Sequence, residues 1–350
     1  MSFSSRSLRI GCAAVSVTCL MGVAACGGGH HTKKAAPTAI VSPTPTKSTP
    51  KPTPHPKPKP KPPAVDPLTG GKPAKGTVVA VKIDDTASGR PQIGIDQADI
   101  VYIEQVEGGL TRTIAVFHSR KPASVGPVRS VRANDPELLS QYGPISFVAS
   151  GGGGDSLPSL DRSILRADIN DRGGPGFFRD GSRPVPYNLM LHLGQVTGGA
   201  QARSVGFTWS AATKGLRGSP LAAAINTVVG GTAVQFRWDS AHKVYDRFIG
   251  GVQQHAANGN PIATPNVIVQ FTSGYPNPGD VDRAGNAGWF TRSVGRGRVV
   301  VFRDGHAVSG LWTRVSAKSG TRLKDRFGHP IALRPGGAWV VLATNGAPLR

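Results

Sequence analysis

Cysteine is nearly absent from this 350-residue chain, and where it stands matters more than how often. Cys12, Cys19 and Cys26 are the only three, all within the first twenty-six residues. The rest of the sequence can hold no disulfide, no cysteine nucleophile and no thiolate zinc site. Acidic residues are missing from the same end: none of the 20 Asp and Glu precedes position 66, whereas nine of the 41 Lys and Arg do. No Gly-x-Ser-x-Gly elbow and no His-Glu-x-x-His pair occurs, which removes two common hydrolase chemistries. Ser240-Ala241-His242-Lys243 has the Ser-x-x-Lys spacing, but it lies between two predicted strands without a Lys-Thr-Gly partner, so chance accounts for it. His118, His192, His255, His306 and His329 are scattered. No metal or cofactor is expected.

What is present begins with an export pattern. Arg6 and Arg9 precede an apolar stretch starting near Ile10, which ends in Val23-Ala24-Ala25-Cys26. A basic start, an apolar middle and a small-residue exit make a signal peptide. A cysteine directly after the exit is what bacterial lipoprotein processing requires. The stretch is too short for a comfortable bilayer span. Residues 1–25 are therefore expected to be removed, and Cys26 to carry the lipid that holds the protein to the extracytoplasmic face of the cell membrane.

Residues 26–65 read as a tether. From Pro50 to Pro63 proline alternates with lysine, threonine or histidine. Fixed φ angles and missing amide donors exclude helix and sheet, leaving polyproline II stretched by lysine repulsion. At about 3.1 Å per residue it reaches on the order of 100 Å.

The body, 66–350, keeps 32 basic against 20 acidic residues. Nucleic acid is the reflex partner for such a balance. Export argues against it and favours an anionic wall polymer, lipid headgroups or an acidic envelope protein.

The expected fold class is α+β. Residues 66–215 form a domain with a mixed sheet, and 216–350 a smaller, mostly-β one. Thr77–Asp84 reads as a buried strand, and Ile100–Val106 with Thr111–His118 as a hairpin closed by Glu107-Gly108-Gly109-Leu110. Asn134 is expected to cap a helix, with Glu137 completing a capping box. Ile145–Ala149 is expected to be a strand, and Asp155 to cap a helix running to about Ala167. Strands are expected at 234–238, 244–249, 266–271, 298–302, 308–315 and 339–344, with Asp304-Gly305 as a hairpin turn.

Spaced motifs in the body resemble the YerB-like lipoprotein family, whose two domains have no assigned function. In the first half they are Arg90-Pro91-Gln92, Gln97-Ala98-Asp99-Ile100-Val101-Tyr102, Val106-Glu107-Gly108-Gly109 with Thr111-Arg112, Gly126-Pro127-Val128-Arg129-Ser130 with Arg132, and Phe178-Arg179-Asp180 with Arg183. Pro186-Tyr187-Asn188-Leu189 departs from the family's usual Pro-His-Asn-Leu. In the second half they are Asn266-Val267-Ile268-Val269, Asp304-Gly305, Gly310-Leu311-Trp312 and Gly337-Ala338-Trp339. The resemblance implies a membrane-anchored lipoprotein and transfers no chemistry.

Candidate residues follow from side-chain chemistry. Glu104, Glu107 and Asp84, with Asp85 and Asp99, stand at strand ends, where a carboxylate pair could act on a wall polymer. The competing reading pairs them with Arg90, Arg112, Arg129 and Arg132 to fix loops. Ser150-Gly151-Gly152-Gly153-Gly154 could aim bare amides at an anion or simply be a mobile loop. Arg129, Arg132, Arg179 and Arg183 could hold a phosphate or carboxylate bidentately. The expected ligand contacts are Arg90, Asp99, Glu104, Glu107, Arg112, Arg129, Arg132, Gly151, Gly152, Arg179 and Asn188, in a binding or adaptor module rather than an enzyme.

Overall fold

Continuous apolar runs mark strands buried on both faces, and one such run is residues 339–343. Trp339-Val340-Val341-Leu342-Ala343 is at most 4% exposed throughout. In a computed structural model describing residues 65–282 and 285–350, this run is the centre of a ten-stranded mixed sheet. Cys26, the signal and the tether lie outside the described residues.

The sheet's strands, in chain order, are β1 (Val79–Asp84), β2 (Ile100–Gln105), β3 (Thr111–Phe117), β4 (Ser146–Ala149), β5 (Arg166–Ile169), β6 (Asn266–Thr272), β7 (Gly295–Arg303), β8 (His306–Arg314), β9 (Arg322–Asp325) and β10 (Ala338–Thr344). Across the sheet they run β9-β8-β7-β6-β10-β2-β3-β1-β4-β5. β10 lies parallel to β6 on one side and to β2 on the other. Strands from the second half of the sequence thus extend the sheet begun by the first half, and the described residues fall in one compact unit, Lys61–Arg350.

Alternation divides each strand between two cores. Val79, Val81, Ile83, Val101, Ile103, Ala115 and Phe117 face one side, where Ile225, Phe236 and Tyr245 of a smaller five-stranded sheet cover them. Val78, Ala80, Ile100, Tyr102, Ile114 and Val116 face the other, against Leu138, Leu139 and Tyr142. Along this second face the side chains turn from apolar to charged: Lys82 and Asp84 on β1, Glu104 on β2 and Arg112 on β3. That charged end positions the site.

The hairpin of β2 and β3 forms with Glu104 opposite Arg112. Asp304 and Gly305 join β7 and β8 with φ of 50° and 73°, the left-handed pair that a two-residue hairpin needs. Helix is scarcer than expected. α1 (Asp135–Leu139) and α2 (Ser156–Asp161) have five and six residues. The expected helix to Ala167 stops at Asp161, because Arg166 donates its amide to the Ile145 carbonyl and Ala167 pairs with Phe147, making β5. Sheet pairing overrides the local pattern there. The capping box also fails to form. Asn134 sits at the cap position without a side-chain cap bond; it donates to Glu104 instead, and Glu137 accepts from Ser293.

Candidate functional site

At the charged end of the sheet, β1 ends in Asp84 and β3 begins with Thr111-Arg112. The segment after Gly126 runs beside β1, with the Asp84 amide donating to the Pro127 carbonyl and the Arg129 amide to the Lys82 carbonyl. It is held on its other side by the Ser150 amide, which donates to the Arg129 carbonyl, and by the Val131 amide, which donates to the Gly151 carbonyl. Gly126-Pro127-Val128 therefore acts as a rail that lays Arg129, Ser130 and Arg132 along the charged end of the sheet.

A cleft of about 930 Å³ opens over these residues. Its basic wall carries Arg112, Arg129, Arg132 and Arg179. Its acidic wall carries Asp171, Asp280 and Asp282, the last two from the ribbon Gly274–Val281 and the residue after it. Both halves of the sequence therefore build it.

The arginines differ in what they hold. Arg132 grips the buried Glu107 as a fork, with Nε 2.5 Å from Oε1 and Nη2 donating to Oε2 at 2.6 Å. Burial alone would raise the Glu107 carboxyl, but the Arg132 bonds and charge, with Arg112 nearby, hold it below the usual carboxylate range. Arg129 places Nε 3.0 Å from Asp84 Oδ2, while the Thr86 amide donates to Asp84 Oδ1 at 2.7 Å. Arg112 and Arg179 have no carboxylate at ion-pair distance among the described residues. Arg179 donates to Asn188 Oδ1 at 2.7 Å and Arg112 to the Ser130 carbonyl at 3.3 Å. Burial, then Arg132 and Arg129, push the Arg112 guanidinium down to about 9 against the smaller opposing pull of Glu107 and Asp84, so it remains a cation at neutral pH.

Below this layer one ammonium is shared by two carboxylates, whose other oxygens take neutral donors. Lys82, wholly buried, contacts Glu104 Oε1 and donates to Asp135 Oδ1 at 2.8 Å. Asn134 donates to Glu104 Oε2 at 2.7 Å, and the Arg132 amide to Asp135 Oδ2 at 2.8 Å.

The expected site residues separate accordingly. Glu107, Arg112, Arg129, Arg132, Gly152 and Arg179 meet at the cleft. Asn188 supports it through Arg179. Glu104 lies beneath it, neutralised by Lys82. Gly151 is buried beside it, where a side chain would overlap Asp171. Arg90 and Asp99 do not belong there. Arg90 stands half-buried near Asp85, which Arg247 holds at 2.7 Å. Asp99 precedes β2 at the opposite end of the sheet, where its Oδ2 accepts the His118 and Ser119 amides at 2.6 and 2.8 Å.

The glycine loop is packed rather than loose: a Cβ on Gly152 would come 2.7 Å from Val131 Cγ1, and one on Gly154 would overlap the Gly279 carbonyl oxygen. The amides of Gly152 and Gly153 nevertheless meet no acceptor among the described residues.

Sequence reasoning missed Asp171, Asp280 and Tyr187. Asp280 is buried, hydrogen-bonded by the Ser156 hydroxyl, and its carboxyl is pushed up by that burial. No local pattern around Gly279-Asp280 marks it, since its partners lie more than a hundred residues away. Tyr187 was visible as the family departure; Arg129 lies over its ring, 5.3 Å from the centroid.

These features define a two-segment, mixed-sheet protein with a charged cleft where the loops of both segments meet. Models of a family described as protein of unknown function (DUF3048) match residues 68–207 with its N-terminal domain and 224–340 with its C-terminal domain. The chain belongs to this family. Over 278 residues it is 28% identical to the protein named "Putative lipoprotein YerB" of Bacillus subtilis (strain 168), spanning 75% of this chain and 80% of that one. The crystal structure of YerB protein from Bacillus subtilis shares its fold, with a TM-score of 0.69 at 21% identity over 82% of this chain and 99% of that chain.

Proposed function

We propose that this protein is a lipid-anchored binding module on the extracytoplasmic face of the cell membrane, whose cleft holds an anionic envelope component. The observation that carries the reading is the pair Arg112 and Arg179, two cleft cations with no carboxylate at ion-pair distance among the described residues, in a cleft also lined by Gly152 and Gly153, whose amides meet no protein acceptor there. Guanidinium forks and bare amides are the groups that take phosphate or carboxylate oxygens. The acidic wall suits hydroxyls, which a wall glycan supplies. The export pattern ending at Cys26 and the relative's name support the anchoring. The partners are then the bilayer, through acylated Cys26, and an anionic wall polymer or envelope protein.

Titration calorimetry with purified anionic wall polymer tests this. Binding should weaken with salt and fall about ten-fold in Arg112→Gln, roughly the loss of one charge-assisted hydrogen bond. Absence of any salt-sensitive binding to wall polymer, lipid or envelope protein overturns the reading.

One observation favours a second reading, a wall-polymer hydrolase or transferase. Glu104, Glu107 and Asp84 are each held by a cation, so the acid would be Asp280, whose carboxyl is pushed up by burial. Product release from wall material that vanishes in Asp280→Asn would establish it.

A further inference from the structure

The cleft has a third chemical component beyond its two charged walls. Large apolar side chains stand at its edge, in water. Val185 is 73% exposed, Leu110 51% and Val281 50%, and all three line the cleft. Pro186 and the half-buried Tyr187 continue the rim, with Tyr187 stacked under Arg129. These residues come from two loops and the end of the Gly274–Val281 ribbon and line one opening, and such converging exposure marks an interaction site. Packing does not require them there, because each projects away from both cores.

We infer that the ligand is an anionic amphiphile: a phosphorylated headgroup seated on Arg112 and Arg179, joined to an apolar chain that lies along Val185, Leu110 and Val281. This rests on the anion-binding reading and narrows it. A headgroup alone would satisfy the arginines and leave the rim wet. An apolar chain alone would bury the rim and leave Arg112 and Arg179, which have no carboxylate at ion-pair distance among the described residues, without an anion.

The probes are geranyl pyrophosphate, inorganic pyrophosphate and geraniol, titrated into the full chain held in phosphatidylcholine nanodiscs, with protein-free nanodiscs as blank. Geranyl pyrophosphate should bind on the order of ten-fold tighter than inorganic pyrophosphate, since burying even part of the ten-carbon chain supplies that factor. Val185→Ser with Leu110→Ser should erase this gain and leave pyrophosphate affinity unchanged. Both positions are exposed, and an unchanged melting temperature will confirm that the variant folds. Arg112→Gln should weaken both anions. Equal affinity for the two anions overturns the amphiphile and leaves the anion site standing. No binding by either overturns both. Geraniol binding as tightly as its pyrophosphate also overturns both. Concentration-dependent self-association that Val185→Ser abolishes, with the ten-fold gain absent, would assign the rim to a second copy of the chain.

Discussion

Two layers of charge lie one above the other at the end of the sheet, and they are built differently. In the lower layer Lys82, Glu104, Asn134 and Asp135 answer one another almost atom for atom, out of water. In the upper layer Arg129 and Arg132 each hold a carboxylate, while Arg112 and Arg179 face the cleft without one. A buried charge must be matched within the protein, because desolvation is too costly otherwise. A charge at a cleft can be left for a ligand to match. The contrast separates scaffold from site among residues of identical type.

The sharpest way to break this comparison is to unmatch the lower layer. Lys82→Met leaves Glu104 and Asp135 buried without their cation, and should cost about 3–5 kcal/mol in urea denaturation. A cost near zero would show that the layer is not a scaffold. The second effect in size tests the acidic wall of the cleft. Gly154 has φ of 43° and abuts the Gly279 carbonyl, so Gly154→Ala should cost about 1–3 kcal/mol and displace the ribbon that carries Asp280. Thermal melting measures the cost, and amide exchange at residues 274–281 reports the displacement.

The third test uses pH. The Glu107 carboxyl is held below its unfolded value, so the folded state releases that proton more readily. Its stabilising contribution is complete above the unfolded carboxylate range and is lost as pH falls through the lowered folded value. Glu107→Gln should therefore be less stable than the parent at neutral pH, with the gap narrowing on acidification; a constant gap from neutral pH to pH 3 would remove Glu107 from the ion-pair account. The smallest expected change is Arg112→Gln, which relieves repulsion with Arg129 and Arg132, gives up a smaller attraction to Glu107 and Asp84, and breaks no ion pair among the described residues. Its stability should stay within about 0.5 kcal/mol of the parent, even though ligand affinity drops. A loss as large as that of Lys82→Met would place Arg112 in the scaffold.

Local signals carried much of the fold into the sequence. β1, the β2–β3 hairpin, the Asp304-Gly305 turn and β10 were all legible, because alternation and turn chemistry act over a few residues. The far end of α2 was not, since its fate depends on whether β4 offers a free edge to Arg166–Ile169. Within the site, Arg129, Arg132 and Arg179 were legible as guanidinium groups following rigid or polar turns. Arg90 and Asp99 were drawn in by the same logic and fall outside the cleft, because a charge at a strand end does not reveal which end of the sheet it occupies. Tyr187 was visible only as a departure from the family motif, and Asp280 was out of reach, since contacts formed across long sequence separation bring it to the cleft.

The position of β10 has a further consequence. Ala338 pairs with Ile100 across more than two hundred intervening residues, and the same strand pairs with β6 on its other edge. Its seven residues are the keystone: without them β6 keeps only β7 and β2 keeps only β3, and the sheet falls into two halves. A chain interrupted a dozen residues early would present two raw sheet edges to its surroundings, the very condition in which strands seek the wrong neighbour.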